Sequence, residues 1–187
     1  MLTVRIQTSV AVIESATVGD PFDPGVVFGP VISQSALDRI LGAIEEAITQ
    51  HAGELALGGK RIGGELAGGY FLEPTVFTDV DNPSALAQTE TFGPVVVVMK
   101  FNDETEAVHM ANDTVYGLNA FVQTTDLVRA HRVARQLQAG SVWINQLSDM
   151  SPQSPYGGYK QSGFGRTGGL EGLYEFLQVK NIRIGMS

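Results

Sequence analysis

The sequence predicts an α/β fold in which helices flank a mostly parallel sheet. From Val95 to Asn145, β-prone runs alternate with stretches of helical spacing in the order β-α-β-α-β, the pattern of parallel strands joined by crossover helices. Upstream, Leu37, Ile40, Leu41, Ile44, Ala47 and Ile48 recur at the 3.6-residue period of a helix with one buried face. With 187 residues, 43% of them apolar, the chain can bury one domain core.

Residues 1–16 hold a β-rich run that would pair as an edge strand or form the remainder of a helix. Pro21 to Pro24 and the Gly29-Pro30 pair then set a rigid connection over the surface. Ser33 or Ser35 caps the helix that carries the Leu37 face, and Gly53, just beyond His51, stops it. Leu55 to Leu57 reads as a short strand, and Tyr70 to Phe77 as an extended segment kinked at Pro74. A strand from Val95 to Phe101 leads to a helix from Asp103 to about Ala111, capped by Asn102 or Asp103, with Ala107, Val108 and Ala111 facing inward. The strand Asn119 to Thr124 follows. Asp126 opens a further helix with Leu127, Ala130, Val133, Ala134 and Leu137 on one side, and the Ala139-Gly140 break ends it before the strand Ser141 to Asn145. A Gly-rich loop covers Tyr156 to Gly172, a short helix lies around Leu170 to Leu177, and Val179 to Ile184 form a last β-prone segment.

Composition closes several routes. A net charge of -8 with scattered Lys and Arg disfavours a nucleic-acid partner. Arg129, Arg132 and Arg135 read as a solvated helix face. No apolar stretch approaches the ~18 residues of a membrane span, and the first residues lack the order of a signal peptide, so no membrane partner and a cytoplasmic location are expected. Cysteine is absent, which removes disulfides, thiolate metal sites and any cysteine nucleophile. His51, His109 and His131 are dispersed without a ligand pattern, so no metal is expected. Gly163-Phe-Gly-Arg-Thr-Gly168 matches a dinucleotide fingerprint, but it follows a polar loop rather than a strand and has no acid at the required distance, so it reads as a packing loop.

The corner Glu90-Thr-Phe-Gly-Pro94 sets an acid and an aromatic against an apolar strand. Gly93 is expected to take an unusual backbone angle and Pro94 to fix φ. Such a corner presents Glu90 to ligand hydroxyls and Phe92 to a flat face, or simply carries a surface acid and a core aromatic.

Seven ordered motifs extend the reading. They are Val18-Gly-Asp-Pro-Phe-Asp-Pro24, Gly29-Pro-Val-Ile32, Gly69-Tyr-Phe-Leu-Glu-Pro-Thr-Val76, Glu90 to Pro94, Asn112-Asp-Thr-Val-Tyr-Gly-Leu118, Ala139-Gly-Ser-Val-Trp-Ile-Asn145 and Pro155-Tyr-Gly-Gly-Tyr-Lys-Gln-Ser-Gly-Phe-Gly-Arg166. In this order, over about Thr17 to Ile184, the chain resembles the C-terminal part of the catalytic domain of NAD(P)-dependent aldehyde dehydrogenases. The resemblance implies a partial catalytic domain over 1–178, with 1–16 an atypical or truncated boundary, and a terminal oligomerisation strand and tail over 179–187. It implies that Glu90 accepts hydrogen bonds from the ribose hydroxyls on the nicotinamide side of NAD or NADP, while Phe92 walls that half of the cofactor. Gln146, Leu147, Met150 and Tyr156 would stand at the mouth of the aldehyde channel. Trp143 is expected in the core, and Lys160 either fixes its loop, faces the channel or lies on the surface.

In the resembled family the cysteine thiolate, the general base and the oxyanion-holding Asn come from regions upstream of this segment. No catalytic residue is therefore expected here. The chain is expected to be the C-terminal fragment of an oxidoreductase that converts an aldehyde to a carboxylic acid, inactive in isolation and without tight affinity for NAD or NADP, and to form a homo-oligomer through its last strand. The alternative is a non-catalytic self-association or interaction module. Apolar surface on sheet and helix faces is expected to be uncovered.

Overall fold

Ser33 starts the first long helix in the way its hydroxyl dictates, accepting a hydrogen bond from the Ala36 N–H at 3.1 Å and so satisfying a donor that has no partner within the helix. This helix, α1 (Gln34–Thr49), buries Leu37, Ile40, Ile44 and Ala47. Ile48, expected on the same face, is exposed. The left-handed residue that ends the helix is His51, at φ 54°, rather than the expected Gly53. The computed structural model describes residues 8, 10–146 and 150–185, and the chain divides into two compact units, Met1–Lys100 and Phe101–Ser187.

In the first unit, α1 is followed by β1 (Glu54–Leu57), β2 (Thr75–Thr78), the short α2 (Ala85–Gln88) and β3 (Val95–Val97). β2 is central, antiparallel to β1 with Glu54 opposite Thr78, and parallel to β3 with Thr75 opposite Val95. A central strand lies covered on both faces, and all four β2 residues are buried. The buried Thr75 hydroxyl is fully used, donating to the Glu73 carbonyl and accepting from the Gly59 N–H, each at 2.9 Å. Leu37, Ile40, Ile44, Ala47, Leu72, Phe77, Val80 and Leu86 form one apolar cluster. Each large member contributes about 1.5–3 kcal/mol by leaving water. Of the two readings of residues 1–16, the described part agrees with a helix, since residues 10–14 are helical.

The second unit runs α3 (Glu104–Asn112), β4 (Asn119–Val122), α4 (Leu127–Gln136), β5 (Ser141–Ile144), a 3₁₀ turn (Lys160–Ser162) and α5 (Gly169–Tyr174). Asp103 and Asp126 cap α3 and α4, accepting from the N–H groups of Glu106 at 2.9 Å and Arg129 at 3.0 Å. β4 and β5 are parallel, with Phe121 opposite Trp143, and these two rings stack at 5.2 Å.

The expected α/β class is observed, with the strands divided between two sheets. The strands form a three-stranded sheet β1-β2-β3 in the first unit and a two-stranded sheet β4-β5 in the second. Helices flank mixed and parallel strands all the same, so the α/β class holds. Burial is sparse in this unit: Val108, Ala130 and Trp143 are its buried apolar side chains among the described residues. Ala111, expected inward, is exposed, as are Phe101, Phe121 and Leu127, the last expected on one helix side with Ala130.

Arg129, Arg132 and Arg135 are exposed, as a solvated helix face predicts, and two of them are paired. Both reach Glu104, Arg132 with two nitrogens at 2.6 and 2.7 Å and Arg129 at 3.2 Å. The hydrogen bond from Arg132 first, and then the charges of both guanidiniums, hold the Glu104 carboxyl below its ordinary range. Residues 177–185 form neither helix nor strand, and Val179, Ile182 and Ile184 stand in solvent. No helix among the described residues is long and apolar enough to cross a membrane.

Candidate functional site

The corner in the first unit is bolted at both ends. Arg39, projecting from α1, donates to the Thr91 carbonyl at 2.6 Å, and the Pro94 carbonyl accepts from the Thr75 N–H of β2 at 2.8 Å. Between these anchors the Val95 N–H returns to the Gly93 carbonyl at 2.8 Å, a tight three-residue turn around Pro94. The strained residue is Phe92, at φ 47°, and not Gly93 as expected. Gly93 is needed for a different reason: a Cβ there would lie 2.6 Å from Cδ1 of Ile40, so only glycine lets the corner seat against the α1 core face.

This geometry turns the Phe92 ring outward, 75% exposed. It is therefore not the core aromatic that the alternative reading allowed. Glu90 is also exposed, and no hydrogen bond or ion pair engages its carboxylate among the described residues. An unengaged carboxylate two residues from an exposed ring, on a braced backbone, has the chemistry to accept two hydroxyl donors and to cover a flat group. Sequence reading missed Arg39, since a lone Arg on a helix carries no signal of the carbonyl it will reach 52 residues away.

The second unit gathers most of the other candidates. A depression of about 590 Å³ is bordered by Gln146, Met150 and Tyr156, with Trp143 at its base. Leu147 lies outside the described residues. Trp143 is buried, as expected, and still offers an edge to this space. Tyr156 is fixed twice: its backbone exchanges hydrogen bonds with Thr167 at 2.7 and 2.8 Å, and its hydroxyl accepts from the Asn119 amide of β4 at 3.3 Å. Gly140 opens β5 because the Gly157 carbonyl lies where its Cβ would be, which brings the loop flush against the strand.

Lys160 is a loop-fixing residue, one of the roles left open for it. Its ammonium donates to the carbonyl of Asn112, the last residue of α3, at 2.6 Å and to that of Thr114, just beyond it, at 3.0 Å. Asn112 extends the same clamp, donating to the Gln136 carbonyl at 2.8 Å and accepting from the Gln138 N–H at 2.7 Å. Ser162 adds a bond from the Gly117 N–H at 3.0 Å. Together these pin the Gly-rich loop, whose Gly163 to Gly168 stretch follows a 3₁₀ turn rather than a strand, in line with a packing loop. Asn112 and Ser162 sit inside quoted motifs, but their partners are backbone atoms that a sequence does not mark. Among the described residues no group of three or more His, Asp or Glu is placed to hold a metal ion.

Comparison with known proteins agrees over almost the whole length. An aldehyde dehydrogenase of Enchytraeus buchholzi is 46% identical over 179 residues, 96% of this chain and 35% of the relative. An NAD(P)+ aldehyde dehydrogenase of Saccharomyces cerevisiae is 46% identical over 174 residues, 90% of this chain and 33% of that protein. Among solved structures, a point mutant of betaine aldehyde dehydrogenase from Staphylococcus aureus, in complex with NAD+ and with a modified cysteine, superposes with a TM-score of 0.90 at 41% identity, covering 94% of this chain and 36% of that one. The chain thus spans about a third of the length of these relatives. A model of the aldehyde dehydrogenase family matches residues 4–182, and the chain belongs to that family.

Proposed function

We propose that this chain supplies two walls of the active site of an NAD(P)-dependent aldehyde oxidation and does not carry out the reaction alone. Glu90 and Phe92 form the wall for the nicotinamide ribose. Gln146, Leu147, Met150 and Tyr156 form the mouth through which the aldehyde enters. The observation that carries this reading is the braced, outward-facing corner, in a chain 41% identical to an enzyme solved with NAD+.

The corner fits the cofactor on its own chemistry. A carboxylate free of other partners suits two vicinal hydroxyls, and Arg39 and Gly93 keep it from drifting. When bound, the nicotinamide accepts a hydride; the residues here orient it and exclude water from one side. With no cysteine in its 187 residues, the chain has no thiolate to attack an aldehyde.

Grafting residues 17–184 in place of the matching stretch of the Staphylococcus aureus enzyme provides the test. The graft is expected to oxidise aldehyde, and Glu90→Ala within it is expected to raise KM for NAD+ several-fold. An unchanged KM and kcat would remove Glu90 from the site.

A second reading is self-association through 179–184. It is favoured by Val179, Ile182 and Ile184, which nothing covers among the described residues. In this reading the segment adds as a strand to a second copy. Sedimentation that shows a monomer at high concentration would sink it.

A further inference from the structure

β5 ends at Ile144, and the residue after it does two things at once. The Asn145 backbone turns left-handed, at φ 54°, while its N–H still donates to the Val122 carbonyl of β4 at 2.9 Å. In a parallel ladder the Thr124 N–H would next go to the backbone carbonyl of residue 145. It goes instead to the Asn145 side-chain oxygen at 2.8 Å, and the Asn145 amide nitrogen donates to the Thr124 carbonyl at 2.7 Å. A backbone N–H needs an acceptor and a carbonyl needs a donor, so these partners fix which way the amide points. The side chain thus carries the ladder one step further while the main chain leaves the sheet.

Thr124 is itself tied down. Its hydroxyl accepts from the Asp126 N–H at 3.2 Å, and Asp126 caps α4 through the Arg129 N–H. The exit from β5 is therefore set against the turn between β4 and α4. Gln146 comes directly after Asn145 and is exposed. An error in the exit angle displaces Gln146 and grows along the chain beyond it, and small displacements of substrate-positioning groups cost rate steeply. We propose that Asn145 is a positioning residue, whose two-bond clamp on Thr124 sets the direction in which the aldehyde-mouth segment leaves β5. This role rests on the reading of that segment as the aldehyde mouth.

Two substitutions separate the clamp from the turn. Asn145→Gly accepts the left-handed angle and loses the clamp. Asn145→Asp keeps the size and tolerates the angle, but sets a carboxylate oxygen against the Thr124 carbonyl. In the 187-residue protein both should speed exchange of the Thr124 amide. In the graft into the Staphylococcus aureus enzyme both should raise KM for betaine aldehyde several-fold and leave KM for NAD+ unchanged. Tyr156→Ala, within the mouth itself, should raise KM for betaine aldehyde as well. Val108→Ala, on the buried face of α3, is the stability control and should lower the melting temperature with both KM values unmoved. A KM for betaine aldehyde that rises with Tyr156→Ala but with neither Asn145 variant overturns the role and leaves the mouth reading standing. One that moves with none of these three overturns both. Equal changes in the two KM values with Asn145→Gly, matched by Val108→Ala, mark a merely structural residue and overturn the role. A graft inactive before any substitution removes the active-site reading and this role together.

Discussion

The two units use the same local vocabulary and reach different degrees of completion. In each, a strand, a connection containing a helix and a parallel strand are joined: β2-α2-β3 in the first, β4-α4-β5 in the second. The first adds an antiparallel strand and a sixteen-residue helix, and it closes eight apolar side chains into one cluster. The second has a two-stranded sheet, buries Val108, Ala130 and Trp143, and leaves Phe121 and Leu127 in solvent. A two-stranded sheet is marginal alone, and exposed apolar faces are the surfaces that partners cover. Unit one is held by its core. Unit two is held more by polar clamps such as Lys160 with Asn112 and Glu104 with two arginines.

The largest test of this contrast is Phe77→Ala. Phe77 is fully buried in the first cluster, and its removal should cost about 3–5 kcal/mol by denaturant unfolding. A loss below about 1 kcal/mol would mean that the first core is not self-supporting. Gly140→Ala comes next. The backbone carbonyl of Gly157 occupies the Cβ position, so the loop must move, at a cost of about 1–3 kcal/mol and with a changed Trp143 emission. An unaltered spectrum would show that the loop does not press on β5.

Lys160→Met should have a smaller effect, about 1 kcal/mol, because the charge-assisted bonds it removes are solvent-exposed. Its signature is local: faster amide exchange between Tyr156 and Thr167, with the first unit unchanged. Exchange that rises equally in both units would erase the distinction between core and clamp. The smallest effect belongs to Glu104→Gln. The Glu104 carboxyl is depressed in the folded state, so the stability it contributes is present above its ordinary value of 4.5 and lost as pH falls through the folded value. The wild-type protein should melt above the variant at neutral pH and converge with it under acid conditions. A constant gap across pH would show that the arginine pair does not act through charge.

Much of this architecture was legible in the sequence because it is local. Ser33, Asp103 and Asp126 announce helix starts by the side-chain oxygen each carries, and the structure uses all three. β4 and β5 follow from their apolar runs and bounding turns. The rest depends on what the chain meets far away. Alternation alone could not tell one sheet from two, since it marks strands and not their neighbours. Gly93 suggests a backbone angle to a reader of sequence, while its actual constraint is Ile40, 53 residues earlier. Leu127 fits a helical period, yet a period says which face is apolar and not whether anything covers it. The candidate residues stand out through motifs; Arg39 and Asn119, which brace Thr91 and Tyr156, bond to a distant carbonyl and a distant hydroxyl that no local pattern marks.

As proposed above, the chain positions reactants and does no bond-making alone. Purified 187-residue protein, incubated with NAD+ and either betaine aldehyde or propanal, tests it most directly through the absorbance of NADH. No NADH is expected above a protein-free blank. Turnover at an ordinary enzymatic rate, about 1–10³ per second, would contradict it.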